Sequence, residues 1–353
     1  MRSQTEILNT RLSMVCNDIL HVNALFGKSI LITGASGFIG QAFIDTIMFL
    51  NLSFDANIKI FACGRNLEKL CCLLKKYLPY ENLKLIGCDS VGHIDLNGPV
   101  DYIIHCAAVT YPSLFKKAPL QTLITNIELT KSAIQCAVRN KATRFLYLSS
   151  VEVYGNPLPS QGPFFENQQG YLKLDDPRSV YPESKRIGEL LCLSQMYESG
   201  LDYIVVRPAK TYGLTLIDSD ERAVSHFIRS AAKKDDIVLF TKGITKFSFC
   251  NVFDLTSSSL SLLTQGKCGE SYNVASIDSD MSIFEFASIC AEYGDVRVVL
   301  QNTNQEMGYA KFEHTLVDCS KISKLGIISK IPLRDGIKEA IDYCNAKSIV
   351  DGF

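Results

Sequence analysis

The chain has almost no net charge, no long apolar run and no paired-cysteine motif, and each absence removes a class of function. Thirty-six basic side chains against thirty-seven acidic ones leave a net charge of −1. No global field therefore draws the chain to nucleic acid or to a membrane surface. Nothing approaches the ~18 uninterrupted apolar residues of a transmembrane helix. The opening stretch, MRSQTEILNTRLSMVCNDIL, mixes charges with apolar residues at helical spacing, unlike a signal peptide. Thirteen cysteines are present, but they are scattered singly apart from Cys71-Cys72 and form no C-x-x-C pair. That pattern fits reduced thiols in a cytoplasmic enzyme better than a disulfide framework or a metal site, so no metal is expected. Internal repeats and low-complexity segments are also missing. What remains is a chain of 353 residues, 47% hydrophobic and 21% charged, with core enough for one large domain or two modest ones.

The stretch Ser29–Gly40, SILITGASGFIG, organises the rest. Ile30 to Thr33 is a β-branched apolar run that reads as a buried strand. It meets Gly34, Gly37 and Gly40 in a G-x-x-G-x-x-G turn, and residues 41–48 continue with helical spacing. A strand, a glycine turn and a helix N-terminus set backbone N–H groups against a pyrophosphate. Gly34 allows the tight turn, Gly37 lets the backbone approach phosphate, and Gly40 lets helix and strand pack closely. Ser36, Phe38 and Ile39 complete this expected cofactor-binding turn. Before it, Ile7, Leu8, Leu12, Val15, Ile19 and Leu20 suggest an amphipathic helix covering the fold's side or a subunit contact.

Further strands follow at 58–63, 83–89, 100–108 and 144–150, alternating with helices, which predicts a doubly wound parallel sheet. The second strand runs into Gly64-Arg65-Asn66. An acid at its end would bind a ribose 2′-hydroxyl, whereas an arginine accommodates a 2′-phosphate. No acid is there and Arg65 is, so the sequence leans to NADP, with NAD as the alternative. Asp89, with Ser90, ends the third strand as a partner for adenine. Ala107 and Ala108 end the fourth, where the backbone must approach the cofactor. His105 in that strand reads as a packed core histidine, and Asn126 falls on the next helix.

A polar stretch, 156–178, leads to Tyr181-Pro182-Glu183-Ser184-Lys185, with tyrosine and lysine on one helical face. A tyrosine is a poor base near neutral pH. A neighbouring ammonium and an oxidised nicotinamide would both lower its pKa. Tyr181 then moves a hydroxyl proton, Ser150 orients the same oxygen, and Lys185 tunes the tyrosine and holds the cofactor ribose.

With these residues placed, the sequence resembles the extended short-chain dehydrogenase/reductase family, the NAD(P)-dependent nucleotide-sugar epimerases, dehydratases, decarboxylases and ketoreductases. TGASGFIG, DYIIHCAA, Asn126 with Thr130, SSVEVYG, PRSVYPESK, RPAKTYG, GESYNVA, DCSKISKLG and LRDGIKEAI carry the likeness, from residue 28 to about 343. The resemblance implies a Rossmann-like dinucleotide domain over 28–206, after a helical extension over 1–27. Residues 207–353 would form mainly a smaller α/β substrate domain interleaved with it. It implies a nucleotide-diphosphate sugar as substrate, Pro208 beside the cofactor, and a homodimer through a four-helix contact.

Three departures and one match bear on the reaction. Glu152 stands where the family's dehydratases and decarboxylases often have a glutamate, able to remove an acidified C5 proton or to serve as a structural hydrogen-bonding group. Val151 replaces the aspartate that acts as leaving-group acid in well-known dehydratases. Lys210 stands for a phosphate-contacting asparagine, and Phe247 for a pyrophosphate-clamping arginine. Lys210, Lys246 or Arg222 could restore the charge, Arg178 is a further substrate-binding candidate, and Lys311 is the nearest cation in 301–314. Transient C4 oxidation by an epimerase or dehydratase is the leading expectation. Net NADPH-dependent reduction of a 4-keto-6-deoxy sugar, decarboxylation of a nucleotide-linked uronate, and a binding module that keeps its dinucleotide stay open.

Overall fold

In a computed structural model, which describes residues 2–89, 92–96, 98–158, 161–216, 220–301 and 314–350, the glycine-flanked strand β1 (Ser29–Thr33) lies inside a seven-stranded sheet. The other strands are β2 (Lys59–Gly64), β3 (Leu83–Gly87), β4 (Tyr102–His105), β5 (Arg144–Leu148), β6 (Tyr203–Pro208) and β7 (Ser271–Val274). Their order is β7-β6-β5-β4-β1-β2-β3, and every neighbouring pair is parallel. The chain thus runs outward from β1 in both directions, the Rossmann-like doubly wound arrangement expected from the sequence. Such a reversal opens a crevice at the strands' carboxyl ends.

In chain order the first helices are α1 (Gln4–Asp18), α2 (Phe38–Phe54), α3 (Leu67–Leu73), α4 (Pro112–Lys117), α5 (Pro119–Arg139), α6 (Val180–Ser199), α7 (Ala223–Lys233) and α8 (Val252–Gln265), of which α7 packs away from this sheet. The two-residue period of a strand sorts side chains between the two faces. Ile30, Ile32, Ile60, Ile104 and Leu146 pack with Phe43 and Ile47 of α2 and Leu255 of α8. Leu31, Ile103, Phe145 and Val205 pack with Ala133 and Ala137 of α5 and Cys192 of α6. Burial on both faces explains why these strands read as continuous apolar runs rather than alternating ones.

After β6 a separate core forms around Tyr212, Phe227, Ile228, Phe249, Phe286 and Ile337. The amino-terminal stripe becomes α1, opened by a capping box between Ser3 and Glu6. Its Ile7, Leu8, Leu12 and Val15 pack on Phe38, Ala42, Val252 and Phe253, so this chain itself covers that stripe. Arg11 adds an ion pair with Glu339 at 2.7 Å. All thirteen cysteines are free thiols. Among the described residues, no helix is long and apolar enough to cross a membrane.

Strand ends differ from the sequence reading in a way that matters. The run 100–108 looks like one strand, yet pairing stops at His105. Cys106, Ala107 and Ala108 leave the sheet and line the crevice instead.

Candidate active site

Gly34 adopts φ +67°, and a Cβ there would lie 2.8 Å from the amide nitrogen of Ala107. A Cβ on Gly40 would collide with the carbonyl oxygen of Gly34. Only glycine fits these two positions, so the turn holds β1, the exit of β4 and the start of α2 in contact. Gly37 is the N-cap of α2 and has no capping side chain. The helix amides therefore open on a cavity of about 1070 Å³ at the carboxyl end of the sheet.

Gly34, Ser36, Gly37, Phe38, Ile39, Gly40, Arg65, Ala107, Ala108 and Pro208 all line that cavity, as do Ser150, Glu152, Tyr181, Lys185, Arg178, Lys210 and Arg222. Three other expected cofactor contacts are not among its described lining residues. Asn66 caps α3, accepting from the amide of Lys69 at 2.8 Å. Asp89 accepts from the amide of His93 at 2.8 Å. Asn126 is buried behind the Ala107–Val109 segment, where it accepts from Val109 N at 2.6 Å and donates to Ser184 Oγ at 3.0 Å. Ser90 and Lys311 lie outside the described residues. A bare helix N-terminus, two glycine contacts with no room for a side chain and a long cleft fit a dinucleotide pyrophosphate. Among the described residues, no group of three or more His, Cys, Asp or Glu could hold a metal ion.

His105 behaves as expected of a packed residue. Its ring nitrogens lie 2.8 Å from Thr33 Oγ1 and 3.2 Å from Thr130 Oγ1. Burial, with the Lys185 charge beside it, holds its pKa down at about 3, so the ring is neutral.

The expected catalytic side chains come from the segment after β5 and the first turns of α6. Asp176 caps the short turn 177–179, and Pro177 starts it, so α6 begins at Val180 and presents Tyr181 one turn before Lys185. Ser150 follows β5 and caps the short turn 151–154, and its Oγ accepts from the amide of Glu152 at 3.1 Å. Lys185 is buried, donates to the carbonyl of Leu148 at 2.7 Å, and lies 5.0 Å from the centroid of the Tyr147 ring. Behind it, Glu189 accepts from Ser149 Oγ at 2.6 Å and pairs with Arg207, Nη2 to Oε2, at 2.6 Å. Sequence reasoning missed this network and also missed Phe115 of α4, which stacks on Tyr181 at 5.2 Å between centroids.

One electrostatic expectation needs correction. The Tyr181 hydroxyl is not poised downward by Lys185. Burial and the Glu152 carboxylate push its pKa up, against the lowering effects of a Ser150 hydrogen bond and of Arg222 and Arg178. The Lys185 amine points at Leu148 and is itself pushed down to about 8, mainly by burial. Tyr181 in the free chain is therefore a phenol, suited to donate a proton, and needs added positive charge before it accepts one.

At the other wall, Arg178 Nη2 lies 3.3 Å from both oxygens of Glu152. Arg222 grips Asp220 through Nη2 and Nε at 2.6 and 2.9 Å, and its guanidinium lies 5.1 Å from the Phe38 ring centroid. Lys210 stands over the ring of Phe247, 4.1 Å from its centroid. The two departures noted separately in the sequence are thus one contact. Val151 is buried and apolar.

A Rossmann-like sheet with a glycine turn at β1 and Ser, Tyr and Lys converging at the adjacent strand ends defines a dinucleotide-dependent oxidoreductase site of the short-chain dehydrogenase type. The profile of the NAD dependent epimerase/dehydratase family matches residues 30–275. The chain belongs to that family of NAD-dependent enzymes. Similar proteins include UDP-glucuronic acid decarboxylase 1 of Danio rerio, 28% identical over 316 residues, covering 90% of this chain and 72% of the relative. The solved UDP-glucuronic acid 4-epimerase of Bacillus cereus superposes with a TM-score of 0.76 at 19% identity, over 91% of this chain and 99% of that one. DesIV, a dTDP-glucose 4,6-dehydratase of Streptomyces venezuelae, does so with a TM-score of 0.74 at 20% identity, over 89% and 96%. At these identities the two structures speak for the fold alone.

Replacing Tyr181 by Phe removes the phenolic proton carrier and keeps the ring stacked on Phe115. Turnover should fall by on the order of 100- to 10,000-fold, while circular dichroism and dinucleotide affinity stay unchanged. A Tyr181→Phe variant retaining most of its turnover would remove Tyr181 from the chemistry.

Proposed function

We propose that the chain decarboxylates a nucleotide-linked hexuronate through transient oxidation at the sugar C4. The observation that carries this is the state of the cleft's carboxylates. Glu152 is held by Arg178 and Asp220 by Arg222, while Val151 stands where a leaving-group acid would be. Loss of a hydroxyl needs a proton donor at the leaving oxygen. Loss of carbon dioxide from a β-keto acid needs none, because the ketone accepts the electron pair of the breaking C5–carboxylate bond.

A bound oxidised nicotinamide supplies the hydride acceptor and, at the end of the cycle, the hydride donor. Tyr181 and Ser150 hold the C4 oxygen, and Tyr181 takes and returns its proton. After carbon dioxide leaves, C5 takes a proton from water, and the ketone would be reduced by the hydride first removed from C4, so no net oxidant is consumed. The likeness to a UDP-glucuronic acid decarboxylase supports this reading. C4 epimerisation shares the first half-reaction and is the second reading, supported by the same Ser150, Tyr181 and Lys185.

The preferred dinucleotide is inferred to be NADP. β2 ends in Cys63-Gly64 and is followed by Arg65 with no acid, and Arg65 and Lys69 both line the cavity. A second copy of the chain is the inferred partner. Leu120 and Ile124 on α5, and Leu190, Leu193 and Tyr197 on α6, are exposed one helical turn or so apart, a pattern suited to a helix-pair contact. The free thiols support a reducing, cytoplasmic setting.

Incubation with UDP-glucuronate and other nucleotide-linked uronates, without added cofactor, should give a product lighter by carbon dioxide and no lasting reduced-nicotinamide absorbance. A product of unchanged mass would make the enzyme an epimerase. Stoichiometric NADPH consumption on a 4-keto-6-deoxy sugar would make it a ketoreductase. Arg65→Ala should weaken NADP(H) binding roughly tenfold or more and leave NAD(H) nearly unchanged in a fluorescence titration, and equal losses would return Arg65 to the surface. Leu190→Glu should convert a dimer to a monomer in sedimentation velocity, and a wild-type monomer would remove the helix-pair contact.

A further inference from the structure

Two thiols meet where β2 ends and the chain leaves β3. The strands pair in parallel, with Cys63 opposite Ile86 and Gly64 opposite Gly87. Strand side chains alternate, so Cys88, two residues beyond Ile86, emerges on the face that Cys63 occupies. Both pack in the cluster of Leu31, Ile103 and Val205. The Cys63 thiol donates a hydrogen bond to the Cys88 sulfur. The two sulfurs differ in access. Cys63 is 1% exposed, whereas Cys88 is half-buried and lines the cavity, as do Gly64, Arg65 and Lys69. They also differ in acidity. The hydrogen bond from Cys63 and the charge of Arg65 hold the Cys88 pKa below the ordinary thiol value, against burial and the Asp89 carboxylate. The same hydrogen bond and burial push that of Cys63 up. An accessible sulfur with thiolate character, beside a buried one, is the arrangement of an attacking and a resolving cysteine.

We propose that Cys63 and Cys88 form a reversible oxidation site, whose disulfide weakens dinucleotide binding in the adjoining cleft. The oxidant is a hydroperoxide, which the two thiols reduce. The Cys88 thiolate attacks one peroxide oxygen, the O–O bond breaks, and the departing hydroxide takes up a proton to become water. Cys63 then attacks the sulfenic sulfur of Cys88. The S–S bond forms, the S–O bond breaks, and the oxygen leaves as water with the Cys63 proton. Two thiols thus lose two electrons and two protons, and hydrogen peroxide becomes two waters. A disulfide is much shorter than a thiol–thiol contact, so it draws the residue after β3 toward the end of β2. The Cys88 amide donates to the Gly64 carbonyl at 3.3 Å, and Arg65 follows Gly64 directly. The pull therefore acts on the segment that carries Arg65 to the cavity. By linkage, a dinucleotide that favours the reduced arrangement protects the pair from oxidation. A bond of this kind suits a reducing compartment, where disulfides form transiently as sensors. None of this depends on which sugar the enzyme takes.

The test uses the full chain with the exposed Cys71, Cys72 and Cys268 replaced by serine. The reduced protein is treated with hydrogen peroxide, the remaining thiols are alkylated, and the peptides are mapped by mass spectrometry. A Cys63–Cys88 cross-link lighter by two hydrogens is expected, and dithiothreitol should reverse it. In fluorescence titrations with NADPH and NADH, affinity for the dinucleotide that binds should fall roughly tenfold on oxidation and return on reduction. Saturating dinucleotide should slow the cross-link. Cys63→Ser should hold Cys88 as a sulfenic acid that dimedone labels, because the resolving thiol is gone. Cys88→Ser should leave Cys63 unlabelled and make dinucleotide affinity insensitive to peroxide. Cys136 is a further buried thiol near Cys63, and its sulfur accepts from Asn140 Nδ2 at 3.3 Å. A Cys63–Cys136 cross-link in place of the expected one would overturn the proposal. So would the absence of any cross-link at Cys88, or a Cys63–Cys88 cross-link with no loss of dinucleotide affinity.

Discussion

The architecture of the site depends on two side chains that are not there. With no Cβ on Gly40, α2 starts against the carbonyl of Gly34, and with none on Gly34 the exit of β4 closes on the same turn. These contacts decide where the α2 amides point and how near Ala107 and Ala108 come to the cleft. They also place Phe38, the first residue of α2, under the guanidinium of Arg222. The glycine turn and the wall that carries Arg222 are therefore built on one short segment. A displacement of α2 would be felt at both ends of the cavity.

Around that segment, charge is handled in pairs. Arg207 with Glu189, Arg178 with Glu152 and Arg222 with Asp220 each bring a guanidinium and a carboxylate together at the cavity or just behind it. A buried pair of this kind adds little net stability against an apolar substitute, yet losing one partner leaves an uncompensated charge. Glu189 is the case closest to the chemistry. It accepts from Ser149, next to Ser150, and its negative charge partly offsets the burial that lowers the Lys185 ammonium. Each pair thus acts less as glue than as a way to hold a carboxylate against a guanidinium at or behind the cavity wall.

Much of this is legible in the residues. The β1 turn, the parallel sheet, the Ser150–Tyr181–Lys185 set and the packed His105 all follow from local patterns that tertiary contacts then reinforce. Contacts between distant segments are not legible. Nothing in the neighbourhood of Phe247 says that its ring lies under Lys210, far earlier in the chain, because only the parallel pairing of 210–212 with 249–251 makes them adjacent. Phe115 is likewise an ordinary helix residue until α4 is laid across Tyr181. The Tyr181 pKa moves against the sequence expectation for a related reason. The i, i+4 spacing puts Lys185 on the same helical face, but the buried amine donates to the Leu148 carbonyl, and burial with the Glu152 charge raises the Tyr181 pKa. Asn126 does lie on the helix where the sequence puts it. Its amide is taken up by Val109 and Ser184, which spacing alone does not reveal.

Val151 does more than leave the cavity wall without an acid. It borders the cavity, yet it also belongs to the apolar cluster that includes Leu148, Val153 and Tyr154. A carboxylate at this position would enter that cluster and be destabilised by desolvation unless a cation followed it. The nearby guanidiniums of Arg178 and Arg222 are already engaged by Glu152 and Asp220. Restoring an acid here would therefore require the pairs to be rearranged, not one side chain to be changed. The apolar residue at 151 and the paired carboxylates around it are one arrangement. It suits the proposed decarboxylation, in which the bond at C5 would break under the pull of the neighbouring ketone.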